Sequence, residues 1–97
     1  MKIALTKDGN TWEGIQKGIC VDFFLNGKNR GITGCENLLF AQKELIDVVN
    51  KKIKEGFIFD KKMKIQFDNF KNKYINNSIL SFLLIGHLSQ ILSTIYH

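Results

Sequence analysis

Residues 57–67, Phe57-Ile58-Phe59-Asp60-Lys61-Lys62-Met63-Lys64-Ile65-Gln66-Phe67, decide how the second half of the chain is built. Apolar side chains recur at alternate positions, Phe57 and Phe59 before the polar interruption and Met63, Ile65 and Phe67 after it. Period two is the repeat of a half-buried strand. Asp60-Lys61-Lys62 then reads as the tip of a turn. The alternation predicts a β-hairpin over 57–67, with Ile58, Lys64 and Gln66 facing outward.

Upstream, a helix is expected over 34–55. Thr33-Gly34-Cys35-Glu36 has the form of a capping box, in which the Thr33 hydroxyl accepts from an amide that the helix leaves unpaired. Leu38, Leu39, Leu45, Ile46, Val49 and Ile53 follow at three- and four-residue intervals and gather into one stripe. Lys43, Glu44, Asp47, Lys51 and Lys54 face the other way, and Lys43–Asp47, Asp47–Lys51 and Lys51–Glu55 are spaced to pair. Gly56 ends the helix.

Before that helix, residues 19–25 (Ile-Cys-Val-Asp-Phe-Phe-Leu) are rich in β-branched and aromatic side chains and read as a strand. Alternation sets Ile19, Val21, Phe23 and Leu25 on one side and Cys20, Asp22 and Phe24 on the other. Asn26-Gly27 is a favoured hairpin turn, so a hairpin is expected over 19–32, its short polar return arm being an edge strand. Residues 2–6 read as a further short strand closed by Asp8-Gly9-Asn10. In 11–18, Trp12 and Ile15 suit one helical turn or the flanks of a loop pinned by Gly14 and Gly18.

Downstream, residues 68–76 suit a helical turn packing Phe70 and Tyr74, or an irregular link. Charge then vanishes: from Tyr74 to His97 there is no Lys, Arg, Asp or Glu. Asn77 or Ser78 can cap a helix over 78–95, whose main stripe is Leu80, Leu84, Leu88, Ile91, Leu92 and Ile95. Its opposite side, with Ile79, Phe82, Leu83, Gly86 and His87, is also largely apolar. Burial against the chain's own sheet and a second face covered by a partner or a second copy are both open, the latter making a homodimer through 78–95. A membrane span is not expected, because the segment is slightly short and is interrupted by His87, Ser89 and Gln90.

The 97 residues suit one compact domain over 1–97. The expected class is α+β, a small single domain with short antiparallel hairpins packed against two helices, approximately in the order ββαββα. With 44% hydrophobic and 24% charged residues, the composition is globular, which excludes a disordered tail or a collagen-like repeat. The opening residues fall far short of an export signal, and a cytoplasmic location with reduced thiols at Cys20 and Cys35 is expected.

No catalytic constellation emerges. Of the two histidines, His87 and His97, His87 lies in the least charged part of the chain and reads as a buried, neutral, hydrogen-bonded imidazole rather than a catalytic base. Cysteines at 20 and 35 with those histidines match no zinc spacing, and Asp8-Gly9-Asn10 is too short for a calcium loop. Gly27, Gly31 and Gly34 lack the pattern of a phosphate cradle. No enzyme, metal or cofactor is expected.

The chain has a formal charge of +5, with 14 Lys and Arg against 9 Asp and Glu. All of that excess is present between residues 51 and 73, where eight lysines stand against Glu55, Asp60 and Asp68. The expected function is a non-catalytic protein-interaction module, an inhibitor or antagonist of a larger acidic protein. Its contact residues are Lys51, Lys54, Lys61, Lys62, Lys64, Lys71 and Lys73, with Asp22 and Phe24 of the 19–32 hairpin. The alternative is a small nucleic-acid-binding protein whose lysines meet backbone phosphates. A subunit that helps assemble a larger complex is a third reading.

Overall fold

The computed structural model describes residues 1–96, with side chains described through Leu83. Four strands come first: β1 (Lys2–Lys7), β2 (Asn10–Lys17), β3 (Cys20–Leu25) and β4 (Lys28–Gly34). Two helices follow, α1 (Leu38–Lys54) and α2 (Lys61–Tyr96). The strands form one antiparallel sheet in the order β1-β2-β3-β4, each hydrogen-bonded to its neighbour in sequence.

Tight turns make this meander. Asp8 and Gly9 have φ of 50° and 80°, and Asn26 and Gly27 have 51° and 80°. Two consecutive positive φ values are what a two-residue turn needs to match strand twist. Asn26 is braced further, since its Oδ1 accepts from the Thr11 amide at 2.8 Å and its amide donates to Asn10 Oδ1 at 2.9 Å. Gly18, at φ 58°, begins the β2–β3 turn. The stretch 11–18, open between helical turn and loop in sequence, is therefore strand β2.

The helix-facing side of the sheet presents Ile3, Leu5, Trp12 and Val21, all buried. α1 lays Ala41, Leu45, Ile46 and Val49 on it, and α2 adds Phe67. Trp12 stacks on Phe23 with ring centroids 6.0 Å apart. Gly14 lies beneath α1: a Cβ there would sit 2.6 Å from Leu45 Cδ1 and 2.8 Å from Trp12 Cη2. The absent side chain is what lets helix and sheet approach this closely.

The α+β class, a sheet packed against two helices, agrees with the sequence reading. The element order does not: it is ββββαα rather than ββαββα. The expected hairpin over 57–67 is the main correction. Only Ile58 pairs as a strand would, exchanging backbone hydrogen bonds with Thr6 at 2.9 and 3.0 Å. From Lys61 onward the chain is helical. Asp60 caps that helix instead of opening a turn, its Oδ1 accepting from the Met63 amide at 2.7 Å. A two-residue hairpin needs positive φ, which Asp60-Lys61-Lys62 has no glycine to supply. The Lys-Lys-Met-Lys-Ile-Gln run also has high helix propensity. Met63, Phe67, Phe70 and Tyr74, spaced four, three and four, pack as one helical seam, while Ile65 is exposed.

Two helix starts also move. α1 begins at Leu38, capped by Asn37, whose Oδ1 accepts from the Phe40 amide at 2.9 Å. Thr33 belongs to β4, paired with Val21, and so cannot form the expected capping box. Gly56 does end the helix as read, at φ 104°, with Phe57 N–H donating to Lys52 C=O and Gly56 N–H to Ile53 C=O. Leu38 and Ile53, placed in the apolar stripe, are exposed at its two ends. Residues 78–95 are the continuation of α2, so Asn77 and Ser78 lie mid-helix rather than at a cap. Ile79, Leu80, Phe82 and Leu83 are exposed, against the reading of a buried central helix. The rest of the expected 80–95 stripe, with His87 and His97, lies outside the described side chains.

Candidate interaction surfaces

The lysine-rich segment wraps the junction between α1 and α2. Its first group, Lys51, Lys52 and Lys54, occupies the last turn of α1, where positive charge complements the helix dipole. Two lysines brace the connection itself. Lys7 Nζ donates to the Glu55 carbonyl at 2.6 Å, and Lys52 pairs with the Glu55 carboxylate at 3.1 Å. Both ammonium groups lie over the Phe57 ring, 6.0 and 5.7 Å from its centroid. This fixes residues 55–58 against β1 and orients everything around them.

Lys61 and Lys62 come next, in the first turn of α2, where no acidic residue is present. The N-terminal end of a helix carries partial positive charge, so two cations there oppose it, each at a cost of ~0.3–1 kcal/mol. Both are exposed, not on a hairpin tip as expected. Among the described residues no ion pair includes Lys51, Lys54, Lys61, Lys62 or Lys73. Exposed apolar side chains stand between these lysines: Ile53, Ile58 and Ile65, at 37%, 65% and 56% exposure. The sequence reading missed Ile53 and Ile65 because it assigned both to the core.

The remaining lysines are more occupied. Lys64 pairs with Asp68 at 3.1 Å, one helical turn on. Lys71 lies 5.3 Å from the centroid of the Phe67 ring and is half-buried. Lys73 is exposed and borders an open groove of about 1010 Å³ between the β1–β2 edge and α2. Met1, Ala4, Gln16, Met63 and Phe70 also line it, and Glu13 on its wall is neutralised by Lys2 at 2.5 Å. The lining includes no nucleophile beside a base and no pair of carboxylates. On α1, Lys43 has its pKa raised by the hydrogen bond it donates to Asp47, at 2.6 Å, and by the charge of that carboxylate.

Asp22 and Phe24 lie elsewhere. Their strand neighbours are Ile15 and Ile32 beside Asp22, and Asn29 and Glu13 beside Phe24, Glu13 also bordering the groove; strand alternation sets them on the sheet face opposite Trp12 and Val21. Ile32 is 66% exposed on this face. The expected contact residues therefore divide into two surfaces, a basic one at the α1–α2 junction and a mixed one on the outer sheet. Cys20, exposed, and Cys35, half-buried, are both free thiols. Among the described residues no three His, Cys, Asp or Glu side chains gather as a metal site would require, and no helix is long and apolar enough to cross a membrane.

Set against known proteins, the chain has no match among protein-family models, curated proteins or solved structures, so its surfaces are the ground on which its function is read.

Proposed function

We propose that this chain is a non-catalytic protein-interaction module, which docks an acidic surface of a larger protein and acts as its inhibitor or antagonist. The observation that carries this reading is the placement of Lys61 and Lys62. They are exposed and unpaired among the described residues, in a helix turn where positive charge opposes the dipole. Local rules of stability are most often broken where a binding surface demands it. The isoleucines interleaved with the lysines favour a protein over a bare phosphate backbone, since protein interfaces combine apolar contact with charge. Lys51 and Lys54 extend the same basic surface.

The test begins with a partner retained by the wild-type chain and then purified. Its affinity is measured for the wild type and for Lys61→Glu/Lys62→Glu. Placing like charges across the interface should weaken binding about a hundredfold. Trp12 emission, which reports the core, should not change. Equal affinity of the two proteins would sink the assignment.

The local charge excess over residues 51–73 favours one second reading, contact with nucleic-acid phosphates. An anisotropy titration against DNA and RNA, at about 50 and 200 mM salt, separates the two. Phosphate-dominated binding falls by roughly a thousandfold or more over that range when six to ten contacts are made.

A further inference from the structure

We propose that the uncharged half of α2 is a docking helix for an anionic lipid surface. This goes beyond the protein-docking reading and uses a different part of the chain. α2 is 36 residues long, which at ~1.5 Å per residue is about 54 Å. The molecule measures 63 × 26 × 19 Å, so this helix accounts for most of its long axis.

The first half of α2 belongs to the fold, through Met63, Phe67, Phe70 and Tyr74. Beyond Tyr74, no described side chain joins the core. Yet Ile75, Ile79, Leu80, Phe82 and Leu83 follow, all between 46% and 76% exposed. At about 100° per residue, these five spread over about 160° of the helix surface. A helix–helix seam is narrower, and a wide apolar arc of this kind suits the boundary between lipid headgroups and acyl chains. Asn76 falls within this arc, between Leu83 and Leu80, and Asn77, Ser78 and Ser81 occupy the remainder.

Charge identifies the occupant. α2 carries Lys61, Lys62, Lys64, Lys71 and Lys73 against Asp68 alone, and from Tyr74 onward it has no Lys, Arg, Asp or Glu. Lysines of one sign next to an apolar helix complement anionic headgroups. A parallel second copy would instead bring both lysine sets together. The helix lies on the surface in this arrangement.

The test is cosedimentation of the full chain with vesicles of phosphatidylcholine, with and without phosphatidylserine. The wild type should bind the phosphatidylserine vesicles, and Lys71→Glu/Lys73→Glu should weaken this at least about tenfold. Ile79→Glu/Phe82→Glu should abolish it, with Trp12 emission unchanged and the acidic-partner affinity intact, which separates this surface from the one at the α1–α2 junction. A wild type that ignores both vesicles overturns the proposal, as does binding that survives Ile79→Glu/Phe82→Glu. So does a lipid-free dimer, seen by sedimentation velocity and lost in that double variant, if the chain does not bind vesicles.

Discussion

Gly14 is the residue on which helix and sheet depend most directly. A methyl group there would meet Leu45 Cδ1 at 2.6 Å and Trp12 Cη2 at 2.8 Å, and both of those side chains are buried. Both are packed in the core and must shift to admit it, so Gly14→Ala should destabilise the fold by about 1–3 kcal/mol. Urea unfolding followed by Trp12 fluorescence measures this. A loss below a few tenths of a kcal/mol would mean that Leu45 repacks freely. Sequence alone left Gly14 within a helical turn or a loop, because nothing local shows which distant side chain lies over a strand glycine. Asn26-Gly27 was legible, since its positive φ values are a local demand of the turn.

At the scale of elements, the start of α2 combines a good cap with poorly placed charge. Asp60 satisfies the Met63 amide, while Lys61 and Lys62 oppose the dipole. Lys61→Glu/Lys62→Glu should therefore raise stability by ~0.3–1 kcal/mol per site, the same change expected to weaken partner binding. Thermal unfolding at low salt gives the answer, and a lowered midpoint would show that these lysines support the fold in a way the dipole does not describe. The helix itself was hard to see in sequence. Phe57 and Phe59 alternate as strand residues do, and Met63, Ile65 and Phe67 prolong the pattern. Met63, Phe67, Phe70 and Tyr74 fit a helix equally well, and only contact with α1 and the sheet selects that seam. Thr33 was read as the cap of α1, but its pairing with Val21 in the sheet leaves that role to Asn37.

For the whole molecule, no described side chain beyond Tyr74 joins the core. Its members run from Ile3 to Phe67, with partly buried support as far as Tyr74. A chain ending at Asn77 should consequently keep its Trp12 emission and lie within about 1 kcal/mol of full-length stability, since only exposed apolar area among the described residues is removed. A truncated chain that fails to fold would show that the remainder of α2 supports the core. The basic segment was legible as a candidate contact region because charge is written in composition. Its isoleucine neighbours Ile53 and Ile65 were not, because exposure is a property of the packed molecule.

The amino-acid sequence by itself determined the α+β class, the turn at Asn26-Gly27, the amphipathic character of α1 and its stop at Gly56. It also placed the positive charge in one stretch and left the last part of α2 uncharged. Each of these follows from local conformational preference, periodicity or residue type. Tertiary structure decided that β1 to β4 form one meander, that residues 61–67 are helical, and that Asp22 and Phe24 lie on a different surface from the lysines. It also decided that Ile75 to Leu83 lie beyond the core. Those outcomes depend on which apolar faces meet across long sequence separations, and one small core could cover the first half of α2 but not Ile75, Ile79, Leu80, Phe82 and Leu83.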